Sequence, residues 1–423
     1  MDDMRVTDRD AVEFDHQSPE YAKYWTDQYR ALRKEHPVAW SKNHGGYWVI
    51  TRHADLMRCA RDWETFSSEK IWDPATGVGT KGKTIPPTPM PVQIPIELDP
   101  PVWNKFRSIL APYFGPRSLE ARRKTAQALA VTLVNRFIES GKSDFVADLA
   151  NPLPALMTMD LLGVPFENWK QWSDPCHDMA AVPKSAPEFS HVVASMSWLR
   201  DRVGEEIAKC QKTPRPGLLS HIANSEIDGR RVTLEEARET GVLVLLGGVD
   251  TTTALTSNVL IYLDKNRDAR QRLIDDPALF PVATEEFVRF YTPVHTMPRH
   301  VTKDVEVGGQ TLRAGDPVLL GYSSANRDET VFERPDEIIL DRLPNPHVGW
   351  GGGIHRCVGS FLARIMFEVM VKEVLARIPD YKIDHAKTRQ YTSCSSINGW
   401  ATVPASFTPG KKIDGGFPLP EGA

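Results

Sequence analysis

The 423-residue chain is 41% hydrophobic and 25% charged, the balance of a folded protein with a sizeable core, which excludes a disordered or fibrous chain. Its formal net charge of −4 is small for this length, so bulk electrostatics give no ground for a nucleic-acid or membrane-surface binder, and any working charge has to be local. The five cysteines (Cys59, Cys176, Cys210, Cys357, Cys394) are odd in number and include no Cys-x-x-Cys pair, which argues against a disulfide framework and a zinc knuckle.

From the amino end, Met1 to Asp10 lack the apolar stretch of a signal peptide or membrane anchor, so a cytoplasmic protein is expected. Gly45-Gly46 separates a short strand, Tyr47 to Thr51, from its expected partner, Pro37 to Trp40. Pro and Gly then cluster between Asp73 and Pro101. Within that stretch Thr84-Ile85-Pro86-Pro87-Thr88-Pro89-Met90-Pro91 is too rich in proline for a helix or a central strand, and a long functional loop is expected. Arg117 to Ile138 has apolar residues at helical spacing and reads as one helix. Val305 to Leu320 reads as short strands joined by turns at Gly308-Gly309 and Gly315-Asp316. The expected fold is mainly α (α+β), a helix-rich single domain over residues 1–423 with small sheets, and no βαβ alternation indicates a dinucleotide fold.

Thr233-Leu234-Glu235-Glu236 fits a capping box, with Val232 positioned to staple against Ala237. No proline follows until Pro277, so a helix can run to Leu263, about 45 Å at 1.5 Å per residue. Its centre, Leu243-Val244-Leu245-Leu246-Gly247-Gly248-Val249-Asp250-Thr251-Thr252-Thr253, is in conflict with itself. Each glycine costs about 1 kcal/mol relative to alanine, and a buried acid costs more unless it is paired. Two readings stand side by side. Either the glycines serve packing beside a helix-bending threonine, or they admit a flat group while the acid and alcohol open the helical ladder and relay protons. A membrane span is opposed by the central Asp250 and a mean hydropathy of −0.35.

Near the carboxyl end, His347-Val348-Gly349-Trp350-Gly351-Gly352-Gly353-Ile354-His355-Arg356-Cys357-Val358-Gly359 leads into a helical stretch, Ser360 to Ile378, stopped by Pro379. A cysteine where a glycine-rich loop enters a helix, beside His355 and Arg356, is placed to act as a thiolate and suits ligation of haem iron. The plain alternative is an inert buried thiol.

Trp350-x-x-Gly353-x-His355-Arg356-Cys357-x-Gly359 resembles the haem-ligand signature of the cytochrome P450 superfamily, with Trp350 where the family pattern has Phe. Gly247-Gly248-Val249-Asp250-Thr251 is similar to the family's oxygen-activation segment. Glu286-Phe287-Val288-Arg289 is similar to its E-x-x-R pair, which the resemblance completes with Arg342. Alone, such a pair is uninformative, since i, i+3 ion pairs commonly decorate solvated helices.

The resemblance implies haem b, with Cys357 as the iron ligand and Arg107, Arg299 and His355 as partners of its propionates. Gly247, Gly248, Trp350, Gly353 and Gly359 are the other expected cofactor contacts. Many relatives have histidine where this chain has Trp103. The implied reaction splits dioxygen, inserts one atom into a small to medium apolar substrate (terpenoid, aromatic or steroid) and releases the other as water. Thr251 would steady the oxygen and Asp250 would help deliver protons. Leu243, Val294, Met297 and Ile397 are expected pocket walls, together with the proline-rich loop. A ferredoxin and its reductase are the expected electron donors, meeting a basic patch of Lys105, Arg117, Arg356 and Arg364. The alternatives are a peroxide-driven oxygenase or isomerase, against which Asp250 and Thr251 argue, and a haem-thiolate gas sensor or carrier.

Overall fold

The capping box at Thr233 forms in full. Thr233 Oγ1 accepts from the Glu236 amide at 3.2 Å, and Glu236 Oε2 accepts from the Thr233 amide at 2.8 Å. In the computed structural model, which describes residues 11–420 apart from 74, 87, 89, 183–185 and 396, this cap starts the longest helical run. The amino-terminal decapeptide discussed above, and Pro87 and Pro89, lie outside the described residues. Val232 and Ala237 are both fully buried, as a staple requires.

The run is not the unbroken helix expected. It consists of Leu234–Gly248 and Asp250–Lys265, parted at Val249, whose backbone angles are φ −91° and ψ −74°. The Thr251 hydroxyl donates to the Gly247 carbonyl at 3.0 Å and so competes for an acceptor of the helical ladder. The adjacent glycines lower the resistance to that opening. By length and composition this helix could cross a membrane, but 72% of its apolar window is buried within the protein, which is how a core helix satisfies the same sequence.

Ser360–Arg377 packs against Asp250–Lys265 and Arg123–Phe137 and is buried nearly all round, with Leu362, Ile365, Phe367, Met370 and Val374 in the main core. The single helix expected over Arg117 to Ile138 is two, Pro116–Glu120 and Arg123–Phe137. The Arg122 amide closes a turn onto the Leu119 carbonyl at 2.9 Å, and its guanidinium pairs with Asp160 on the neighbouring helix Pro152–Leu162. Leu119 and Ala126 are thereby both fully buried.

Among the described residues the main sheet has six strands in the order Ala11–Val12, Val38–Ser41, Tyr47–Ile50, Pro317–Gly321, Thr296–Val301, Phe66–Ser67. The expected pair is present and antiparallel, with Trp40 opposite Trp48. Val305–Val307 and Gln310–Leu312 form a hairpin whose turn residues Gly308 and Gly309 have φ +54° and +78°, the left-handed pair that a two-residue primed turn demands. The Asp73 to Pro101 stretch is not wholly loop. Lys70–Asp73 pairs with Val78–Lys81 across a turn in which the Asp73 carboxylate accepts from the Ala75 amide and the Thr76 hydroxyl, both at 2.9 Å.

Candidate active site

Cys357 ends a tight loop. Its amide donates to the Trp350 carbonyl at 2.8 Å, and the Gly351 amide donates to the Val348 carbonyl at the same distance. Gly351 has φ +76°, a conformation that glycine adopts without strain. The Gly359 amide faces the sulfur, which opens onto a cavity although the residue lies deep in the molecule, so its exposure is to an interior surface. Burial raises the Cys357 thiol above its ordinary value, opposed by the Gly359 amide and by Arg107, Arg356 and Arg364.

The cavity encloses about 1560 Å³ when the space at its open mouth is counted. Thr251 and Thr252 on the central helix line it, as do Cys357, Trp350 and Gly359 from the cysteine loop. Leu243, Val294 and Met297 also line it, and Pro95 and Ile96 supply the contribution of the proline-rich stretch. Ile397 does not. It packs with Ala180, Ala254 and Tyr391 in a separate small cluster, so that expected wall is corrected.

The two central glycines divide between the two readings. A Cβ on Gly247 would meet nothing within 4 Å, whereas one on Gly248 would lie 2.5 Å from Thr158 Oγ1. Both residues border the cavity, but Gly248 is also where the central helix and Pro152–Leu162 approach closely. Asp250 is not among the lining residues. It is 1% exposed, accepts from the Tyr391 hydroxyl at 2.9 and 3.0 Å, and meets His177 Nδ1 at 2.9 Å. These partners resolve the conflict visible in the sequence, where a buried acid had no evident compensation.

One edge of the cavity is cationic. Arg299 is 3% exposed and donates to the Pro298 carbonyl at 2.7 Å, Arg107 donates to the Arg356 carbonyl at 2.8 Å, and neither meets a carboxylate among the described residues. Among the described residues, His355 Nε2 is buried without a hydrogen-bond partner, 4.0 Å from Asp99. Burial, with help from Arg299 and Arg107, holds the His355 imidazole below its ordinary value despite Asp99. Trp103 stands edge-on to His355, with ring centroids 5.9 Å apart, and under the Arg107 guanidinium at 5.7 Å. Two cations without acids and an orphaned imidazole nitrogen fit a flat anionic group whose carboxylates reach this edge and whose metal faces the sulfur.

Behind the loop, Glu286 on the helix Phe280–Tyr291 accepts from Arg289 at 2.7 and 2.8 Å and from Arg342 at 2.9 Å. Glu286 and Arg289 are fully buried, and Arg289 spends its remaining donors on the carbonyls of Asn326, Pro335 and Glu337. A neighbouring cluster was not legible in the sequence. Glu285 accepts from the Trp350 indole at 3.0 Å and from Arg364 at 2.6 and 2.9 Å, and meets His347 at 3.0 Å. Burial raises this carboxyl, but His347, Arg364 and Trp350 outweigh it and hold it well below the usual range. The signal was the indole itself, which needs a hydrogen-bond acceptor where phenylalanine needs none.

Two further expectations are corrected. Gly353 does not line the cavity. It has φ +63°, and a Cβ there would lie 2.0 Å from the Ala60 carbonyl, so it is glycine to let the loop pack on His53–Arg61. Of the expected basic patch, Lys105 is paired with Asp228 and Arg364 with Glu285, which leaves Arg117 and Arg356 exposed.

A cysteine sulfur facing a cavity beneath a broken helix, with unpaired cations along one edge, defines the haem-thiolate class. The family model described as Cytochrome P450 matches residues 280–385. Linalool 8-monooxygenase of Pseudomonas putida is 31% identical over 90% of this chain and 95% of its own length. Steroid C26-monooxygenase of Mycobacterium tuberculosis is 31% identical over 90% of this chain and 93% of its own. Among solved structures, a Mycobacterium marinum cytochrome P450 in complex with pseudoionone superposes with a TM-score of 0.86 at 26% identity, covering 95% of this chain and 100% of that one. The chain belongs to the cytochrome P450 family and is a monooxygenase whose cofactor is iron protoporphyrin IX.

Proposed function

We propose that this single domain, spanning residues 1–423, inserts one atom of dioxygen into a compact apolar substrate of terpenoid, aromatic or steroid size, with electrons from a ferredoxin and its reductase. The observation that carries the reading is the cavity itself: Cys357 sulfur on one wall, Thr251 on another, Arg107, Arg299 and His355 along one edge, and aliphatic side chains elsewhere. Linalool and steroid relatives support the substrate class. A cytoplasmic location belongs to the same proposal.

Bound haem supplies the redox chemistry that activates dioxygen. Cys357 would hold its iron, and Arg107, Arg299 and His355 its propionates. Trp350, fixed by Glu285, would shield the sulfur from one side. Gly247 leaves room beside the Thr251 hydroxyl, which already donates to the Gly247 carbonyl and can turn to hold a proton at Oγ1. Asp250, one residue before it, would pass protons toward that hydroxyl. Leu243, Val294 and Met297 exclude water and orient the substrate by shape. Arg117 and Arg356 remain exposed as contacts for an acidic electron donor.

The test uses haem-loaded protein with a surrogate ferredoxin and reductase, under 18O2, and a panel of apolar compounds preselected for a spin-state shift. One labelled oxygen atom per product molecule supports the reading. Reductant consumption that yields no labelled product with any shifting compound overturns it.

A further inference from the structure

Asp250 does not face the cavity, and the groups it faces instead come from two segments far away in sequence. Tyr391, 4% exposed, lies in the carboxyl-terminal segment and donates its only proton to the carboxylate. His177 lies on the helix Trp169–Ala181, with Nδ1 2.9 Å from Asp250 Oδ1 and 3.2 Å from the Tyr391 oxygen. Exposure separates the three. The Asp250 side chain is 1% exposed, whereas that of His177 is 19% exposed. Among the described residues, His177 is therefore the titratable partner of Asp250 that also touches water.

We propose that His177 is a positioning residue for Asp250 and the point at which solvent protons enter this side of the active site. The inference rests on the proton-delivering role of Asp250 proposed above. In the charged ring both nitrogens carry protons. The Nδ1–H bond breaks as an O–H bond forms on Asp250 Oδ1, leaving a neutral imidazole and a neutral acid, and a proton from water restores the charge of the ring. Protonation removes the charge that holds the carboxylate to its partners and frees the acid to turn toward Thr251.

The surroundings favour a charged ring. Burial opposes the imidazolium, but the Asp250 carboxylate outweighs it, helped by Asp178 and Asp174 on the same helix, and the His177 pKa is raised. Tyr391 faces it from the carboxyl-terminal segment, its phenol held protonated by burial and by the Asp250 charge. On the adjacent helix Phe189–Lys212, Arg200 pairs with Glu239 and Arg202 with Glu205.

The experiment uses the haem-loaded enzyme. Histidine-selective NMR, with His177 assigned through His177→Gln, follows the ring against pH. It is expected to titrate above the ordinary value of 6.5, and Asp250→Asn is expected to lower that titration. A ring titrating at or below the ordinary value, or one unmoved by Asp250→Asn, overturns the proposal. With a surrogate donor pair and a compound that shifts the spin state, wild-type turnover should fall as pH rises through the His177 titration. His177→Gln, which keeps a hydrogen bond and cannot titrate, should be about tenfold slower at low pH and without that inflection, its compound affinity unchanged. If Asp250→Asn leaves turnover unchanged, the role given to Asp250 fails. If Asp250→Asn slows turnover while His177→Gln keeps the wild-type pH profile, only the inference about His177 fails.

Discussion

Adding one methyl group at each of the two central glycines should have opposite results, although the positions are adjacent on one helix. At Gly248 the new Cβ would stand 2.5 Å from Thr158 Oγ1 and 3.1 Å from its Cγ2, well inside contact distance. Threonine is β-branched and stiff at χ1, so the side chain cannot simply swing away, and such overpacking costs about 1–3 kcal/mol. At Gly247 nothing lies within 4 Å, and the substitution gains the roughly 1 kcal/mol by which alanine is preferred to glycine in a helix. Both variants share that gain, so their difference isolates the contact: Gly248→Ala should be less stable than Gly247→Ala by about 1–3 kcal/mol. Among the described residues Thr158 Oγ1 has no hydrogen-bond partner to lose, so Thr158→Ala in the Gly248→Ala background should restore much of the difference. Urea denaturation of all four proteins at equal haem loading measures it. Gly247→Ala should meanwhile bind cavity ligands more weakly, because its methyl projects into the cavity. Equal stability of the two single variants, or no recovery on removing Thr158, would refute the division of roles between the glycines.

Glu286→Ala leaves the buried guanidiniums of Arg289 and Arg342 without their carboxylate and should cost about 3–5 kcal/mol. Thermal denaturation and haem content per chain check this, and a loss under about 1 kcal/mol, the worth of an exposed pair, would show that the network is not holding the cysteine loop. Glu285 has a folded-state pKa below its ordinary value of 4.5, so its contribution to stability is complete above that pH and is lost as pH falls toward the folded value. Glu285→Gln should therefore lower the melting temperature at neutral pH and flatten its decline below pH 4.5; parallel pH profiles for the two proteins would contradict this.

What the sequence disclosed was local. The capping box names its own partners within four residues, the Gly308-Gly309 turn needs only left-handed backbone, and the strand facing Tyr47–Ile50 lies just upstream. The parallel pairing of Pro317–Gly321 with the same strand joins residues about 270 apart, and no short-range pattern encodes it. The same limit separates the site residues. Cys357 and Thr251 stand in recognisable motifs, and Arg107, Arg299 and His355 follow from the family resemblance. The partners of Asp250 do not, because His177 and Tyr391 lie 73 and 141 residues away. Gly353 looked like part of the cofactor cradle because its second constraint, the Ala60 carbonyl, belongs to a helix some 290 residues upstream. Ile397 sits in a turn whose register the sequence leaves open, and its side chain went to a different cluster. The break at Val249 was legible as a conflict but not as a position, since it depends on which carbonyl the Thr251 hydroxyl takes.

The central claim is that Cys357, alone among five cysteines, ligates the haem iron. Reducing the purified protein under carbon monoxide tests it directly, because thiolate ligation shifts the Soret band far to the red. The wild type and single Ser variants of Cys59, Cys176, Cys210 and Cys394 should all give the shifted band, and Cys357→Ser should lose it. A shifted band that survives Cys357→Ser, or a wild-type protein that gives none, would contradict the account.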